Sequence, residues 1–364
     1  MLAHWLQPDE VTGHGASWQI GARVTSFFPE MAALPRGVVA LLGYDPKAAS
    51  AIRRQLWPLA WAFGNTHVVD LGNLRKAEPA FAVQVLRELI DGGIIVVLFG
   101  GPEDLALGQY QAYSEKIKGV NACLLSSRLD YRADAEEIRS PLLNRMMIPG
   151  QNHLFHLSVL GWQRHFCDPA VTRDLVAEHH FELFSLGQVR HNLEESEPPI
   201  RDADMVAIQM AVLQAAFAPA ALQAGPNGFD GMEICRLARY AGISEKLSSF
   251  SLGGWQSTRD RQHRTAQLCA QIIWYFLEGY SQRQDDFPVS MEGLMEYRVD
   301  HSHLSEALVF WKSTRTGRWW MQVPVREDAG HERHRLVPCT YRDYQEACKD
   351  ELPERLLQAQ LRFR

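Results

Sequence analysis

The residues best suited to chemistry fall just after short apolar runs. Gly100-Gly101-Pro102-Glu103-Asp104 follows the run Ile94 to Phe99. Ser126-Ser127-Arg128-Leu129-Asp130-Tyr131-Arg132 follows Cys123-Leu124-Leu125. A third run, Val206-Ala207-Ile208-Gln209-Met210-Ala211, leads to Phe217-Ala218-Pro219-Ala220 and then to Gly225-Pro226-Asn227-Gly228-Phe229-Asp230-Gly231-Met232-Glu233. Carboxylates such as Glu103, Asp130 and Glu233 can hold a hard divalent cation or work as acid and base. Arg128 is a permanent cation, able to pair with those carboxylates or to grip an anion.

Other reactive residue types support less. No Gly-x-Ser-x-Gly elbow surrounds Ser126-Ser127, so neither serine reads as a nucleophile. The six cysteines lie far apart with no Cys-x-x-Cys pair, which points to free, mostly buried thiols in a reducing compartment. Cys123 reads as core. His153 and His156, His301 and His303, His331 and His334, and His179-His180 are expected to be exposed or hydrogen-bonded, not metal ligands.

The elements that must position these residues follow from the apolar pattern. Seven short runs read as strands: residues 37–44, 67–72, 94–99, 121–126, 180–185, 205–210 and 248–253. Helical spacing follows the first through Ala49, Ile52, Leu56 and Ala60, and recurs over 79–90, from about 107, and over about 261–279. Continuous apolar strands alternating with helices predict a mostly parallel sheet covered on both faces. Ligands of such sheets bind beyond the carboxyl ends of the strands. One α/β domain is expected over residues 1–285. Residues 286–364 read as a small appendage packed on it without an independent core. Within it, 307–312 and 318–323 flank Thr314-Arg315-Thr316-Gly317 and are expected to form a β-hairpin. Trp311, Trp319 and Trp320 there are expected to pack the appendage onto the main domain. Glu194-Glu195-Ser196-Glu197-Pro198-Pro199 reads as a loop.

The chain has 364 residues, 46% of them hydrophobic, and a formal net charge of −6. That excludes a wholly disordered or fibrous chain and the bulk positive field of a non-specific nucleic-acid binder. The most apolar stretch, residues 92–101, is too short to span a bilayer. Met1-Leu2-Ala3-His4-Trp5 lacks the pattern of a secretory leader, so a cytoplasmic location is expected.

Taken in order, the Gly-Gly turn, Arg128-Leu129-Asp130-Tyr131-Arg132, Ala218-Pro219 and Asn227-Gly228-Phe229 leading to Glu233 resemble the arginase-like ureohydrolases over roughly residues 36–280. That family includes arginase, agmatinase and formimidoylglutamase. The resemblance implies a three-layer α/β/α arginase-like fold with a mostly parallel central sheet. It also implies oligomers and two Mn²⁺ ions that make a bridging hydroxide, which attacks a guanidinium or formimino carbon.

Carried over by the family's motifs, the metal-ligand positions fall on Glu103, Ser126, Arg128, Asp130, Gln209 and Ala211, and the acidic residue after the glycine turn on Glu233. Asp130 is unchanged and Glu103 is a usable substitute. Ala211 has no donor, and Arg128 puts a cation where a metal belongs. The binuclear site is therefore expected to be lost and no cofactor is expected. Arg128 is expected to pair with Glu103, Asp130 or Glu233 in its place. The implied protein is a catalytically degenerate ureohydrolase acting by partner or small-ligand binding, with a carboxylate or amino acid as the ligand class. A homo-oligomer or protein partner would use the appendage. The alternative is an active C–N hydrolase of the formimidoylglutamase type, holding Mn²⁺ through Glu103, Asp130 and Glu233.

Overall fold

A computed structural model describes residues 4–26, 34–113, 119–132, 141–148, 154–288, 291–302, 304–323 and 335–362. His153, His303, His331 and His334 lie outside the described residues. In chain order the first elements are β1 (Leu6–Gln7), β2 (Thr25–Ser26), β3 (Val39–Gly43), α1 (Pro46–Leu56), β4 (Val68–Leu74), α2 (Pro79–Asp91), β5 (Ile95–Gly101) and α3 (Leu105–Gln111). Next come β6 (Val120–Leu125), α4 (Leu142–Met146), β7 (Leu154–Trp162), α5 (Pro169–Ala177), β8 (Glu182–Ser185), α6 (Leu186–His191) and α7 (Glu197–Arg201). Then follow β9 (Met205–Gln209), α8 (Gly231–Ile243), β10 (Ser249–Gly253) and α9 (Arg264–Tyr280). The chain ends with β11 (Leu294–Val299), β12 (Leu308–Ser313), β13 (Trp319–Gln322), β14 (Leu336–Cys339), α10 (Tyr341–Cys348) and α11 (Glu354–Leu361).

Strands β3, β4, β5, β6, β9 and β10 are buried along their whole length, which is why they read as continuous apolar runs. They lie in one sheet of order β1-β4-β3-β5-β10-β9-β6-β7-β8, with β2 also on β4. Every pairing is parallel except β1 with β4. One apolar layer seats α1, α8 and α9 on one face through Ile52, Ile234 and Phe276. The other seats α2, α3 and α5 through Leu86, Leu107 and Leu175. This is the expected α/β/α sandwich.

Two of the helices that follow parallel strands begin on an aspartate cap. Asp45 accepts the Ala48 amide at 2.9 Å and Asp168 the Ala170 amide at 2.8 Å, capping α1 and α5 just ahead of a proline. Strand β7 was not among the seven expected strands. Its buried His156 and Ser158 interrupt the apolar run, although the backbone there is a regular strand. The acidic stretch 194–199, expected as a loop, is a short 3₁₀ turn leading into α7, with Pro198 and Pro199 buried.

Residues β11 to β14 form a separate antiparallel sheet in that order, and β12–β13 is the expected hairpin. One expectation fails here. The appendage has its own apolar core of Phe310, Trp319, Met321, Val337, Leu356 and Ala359. Helices α10 and α11 supply its second layer, and they were not foreseen. Trp320 instead faces the main domain, with the Arg201 guanidinium 4.6 Å from its ring. Arg201 also donates to the carbonyls of Trp319 and Cys339. Arg362 closes the seam from the other side, at 2.5 Å from Glu182 and 3.3 Å from Asp202. Glu182 opens β8 and Asp202 precedes β9, so the appendage docks at the amino ends of the strands. Among the described residues, no helix is long and apolar enough to cross a membrane.

Candidate functional site

A cavity of about 830 Å³ opens at the carboxyl ends of β5, β6 and β9, where the sheet order departs from the chain order. Glu103, Ser126, Arg128, Asp130 and Gln209 all line it. Ala211 and Glu233 do not.

The turn after β5 is held from two sides. Gly253, closing β10, lies so close that a Cβ on it would sit 2.3 Å from the Pro102 carbonyl oxygen, so only glycine fits. Gln209, 7% exposed, donates its side-chain amide to the Glu103 carbonyl at 3.3 Å. An ionised aspartate has no proton to donate there. Gln209 thus serves as a structural donor that the acidic residue of the resemblance could not be. With its backbone fixed, Glu103 presents a half-buried carboxyl to the cavity. Burial, Asp130 and Asp104 push its pKa up, against the pull of Arg128.

The turn after β6 closes on itself. Ser126 Oγ donates to the Arg128 carbonyl at 2.8 Å and accepts the Arg128 amide at 3.2 Å. That engagement makes the hydroxyl a turn-former. Asp130, exposed at the rim, accepts the Leu142 amide at 2.7 Å. The Arg128 guanidinium lies over the Phe166 ring, 4.2 Å from its centroid, a contact worth about 0.5–2 kcal/mol. Among the described residues Arg128 makes no ion pair, and its Nε is buried with no hydrogen-bond partner.

The expected ion-pair network is therefore corrected. Arg128 is stacked on an aromatic ring and bonds neither Glu103 nor Asp130. Glu233 belongs to another structure altogether. Its backbone amide and that of Met232 bond Asp230, its carboxylate accepts the Asp230 amide at 2.9 Å, and Arg190 donates to it at 2.8 Å. This is a helix-start capping box, legible in the spacing Asp230-x-x-Glu233. A carboxylate held there cannot join Glu103 and Asp130 in one coordination shell. Ala211 lies buried in a 3₁₀ turn after β9. Among the described residues no group of three His, Cys, Asp or Glu side chains is placed to hold a metal ion.

Sequence reasoning missed the cavity's far wall. Phe166, Cys167 and Asp168 come from the turn after β7, and Gln223 from the long connection after β9. Such residues follow no periodic pattern; the Asp168-Pro169 helix start was the one available signal. Cys167 Sγ accepts the Leu129 amide at 3.4 Å. Burial raises its pKa, opposed by that bond and by Arg128, so the thiol is not activated.

The model of the family described as "Arginase family" matches residues 46–278. The formimidoylglutamase of Staphylococcus haemolyticus (strain JCSC1435) is 26% identical over 225 residues, covering 58% of this chain and 71% of that protein. The formimidoylglutamase of Staphylococcus aureus (strain MRSA252) is 24% identical, covering 58% and 72%. Among solved structures, formimidoylglutamase from Bacillus subtilis subsp. subtilis str. 168 superposes with a TM-score of 0.62 at 15% identity, covering 77% of this chain and 98% of that one. Trypanosoma cruzi formiminoglutamase with Mn²⁺ gives 0.61 at 13% identity, covering 68% and 95%.

Proposed function

The chain belongs to the arginase family, and from that membership we propose that it keeps the family's fold and cleft without its binuclear metal chemistry, and acts by binding a small ligand. The observation that carries this reading is Arg128. Its guanidinium stands in the cavity beside Glu103 and Asp130, at a position where the family resemblance implies a metal-ligating histidine. The donor set does not fit two manganese ions. Ala211 has no donor atom, the Ser126 hydroxyl is engaged in its own turn, and the Gln209 amide is turned to a carbonyl. At an effective dielectric near 20, a unit and a double positive charge about 4 Å apart repel by roughly 8 kcal/mol.

A small carboxylate or amino acid suits this cleft, with Arg128 as the anion-binding group. Metal analysis of the purified chain, with an assay of arginine, agmatine, guanidinobutyrate and formimidoylglutamate in added Mn²⁺, tests the reading. The expected result is no stoichiometric transition metal and no turnover. Two bound Mn²⁺ ions per chain, or turnover lost in Asp130→Ala, would establish the active hydrolase instead.

A further inference from the structure

Charges of both signs line the cleft: Arg128 and Arg132 on one hand, and Glu103, Asp104, Asp130, Asp168 and Asp174 on the other. Arg128 is anchored by its ring contact with Phe166, and its Nε is fully buried and lacks a partner among the described residues. Glu103 is half-buried and makes no ion pair among the described residues, yet it lies close enough to feel the charges of Arg128 and Asp130. Asp130 stands exposed at the rim, where its carboxylate accepts the Leu142 amide. Burying charges without partners is costly. A cleft built this way is completed by a ligand that brings both complements.

Each singly charged ligand leaves a fault. A simple carboxylate would satisfy Arg128 and be repelled by Glu103 and Asp130. A simple amine would satisfy the carboxylates and leave the guanidinium unpaired. The cavity lining also includes the apolar side chains of Leu129, Leu142, Phe166 and Val171. These side chains suit a short methylene chain.

We propose that the cleft binds a small aliphatic amino carboxylate in a fixed orientation, its carboxylate on Arg128 and its ammonium against Glu103 and Asp130. The proposal rests on the metal-free reading and deepens it. Arg128 and Phe166 set the anionic end, Glu103 and Asp130 the cationic end, and the apolar side chains suit the methylenes. Specificity then comes from carrying both charges, since a ligand lacking either one leaves a cleft charge unsatisfied.

Titration calorimetry on the full chain with 5-aminopentanoate, pentanoate and pentylamine tests this directly. The expected result is binding of 5-aminopentanoate at least tenfold tighter than of either singly charged compound. Arg128→Gln is expected to weaken 5-aminopentanoate and pentanoate by tenfold or more and not to weaken pentylamine. Glu103→Gln is expected to shrink the preference for 5-aminopentanoate over pentanoate. Arg128→Lys, which keeps the charge and loses the planar fork, should give an intermediate affinity and guards against misfolding of the glutamine variant.

Equal affinity for pentanoate and 5-aminopentanoate would overturn the proposal. So would unchanged binding in Arg128→Gln, or no binding of any ω-amino carboxylate from three to six carbons. Metal analysis of the same preparation separates the two failures. A metal-free chain that binds none of these compounds refutes this inference alone, whereas bound manganese refutes the reading beneath it.

Discussion

At the scale of single residues, identity and position have come apart in this cleft. Asp130 keeps a carboxylate that the family resemblance expects, yet it stands at the rim and caps a neighbouring backbone amide. Glu233 keeps both residue type and spacing, and its carboxylate is committed to the start of α8 and to Arg190. The consequence is measurable. Glu233→Ala is expected to cost about 1 kcal/mol in chemical denaturation, the usual scale of a lost helix cap. It should leave ligand affinity in the cleft unchanged. A loss of affinity without a loss of stability would place Glu233 in the site after all. Gln209 shows the opposite case, a residue that departs from the resemblance and gains a structural use by donating where an aspartate cannot. Spacing could reveal which side chains follow a strand. It could not reveal which way a turn such as Ser126 to Arg128 folds, because that is decided by a local hydroxyl bond and by Phe166, 38 residues downstream.

At the scale of elements, legibility tracked burial. Strands β3, β5, β9 and β10 are enclosed on both faces, so their sequences carry unbroken apolar runs. Strand β7 carries His156 and Ser158 among its buried residues, and those polar positions hid it. The appendage was only half legible. Its hairpin shows a glycine turn, whereas α10 and α11 are short and largely polar outside Ala347, Leu356 and Ala359. Helix pairing adds a constraint that hydrophobic spacing alone does not show. A Cβ on Gly242 of α8 would lie 2.1 Å from the Phe276 carbonyl oxygen of α9, and one on Gly279 would lie 2.3 Å from that of Arg239. The two helices touch backbone to backbone at these glycines. Gly242→Ala is expected to force them apart and cost about 1–3 kcal/mol, the scale of overpacking in a tight core. A denaturation midpoint equal to that of the unaltered chain would show that the helices can separate freely.

At the scale of the whole molecule, two ends of one sheet carry different work. The cleft lies beyond the carboxyl ends of the strands, and the appendage is fixed at their amino ends by Arg201 and Arg362. That seam is expected to respond to pH. Burial lowers the His156 pKa and the nearby Arg362 adds to it, against the pull of Glu182. Burial works to raise the Glu182 pKa, but Arg362 and His156 outweigh it and hold the carboxyl well below its usual range. Both groups bind protons less readily folded than unfolded, so both contributions to stability are present at neutral pH and lost on acidification. The His156 contribution falls away below about pH 6.5 and that of Glu182 below about pH 4.3. Stability is therefore expected to drop between pH 7.5 and pH 5 in denaturant titrations, and His156→Gln should flatten that drop. An identical pH profile in the variant would assign the dependence elsewhere.

The strand order has a consequence in time. Strands β9 and β10 lie between β5 and β6, though β6 comes next after β5 in the chain. On a ribosome adding about 5–20 residues per second, Glu103 and Arg128 are made several seconds before Gln209 and the strands that join the two halves. Until then β5 and β6 present open edges, and long-range parallel pairing of this kind is intrinsically slow. The nascent chain is thus expected to pass through a stage in which the two sides of the cleft are separated, aggregation-prone pieces, joined only when the last central strands slide between them.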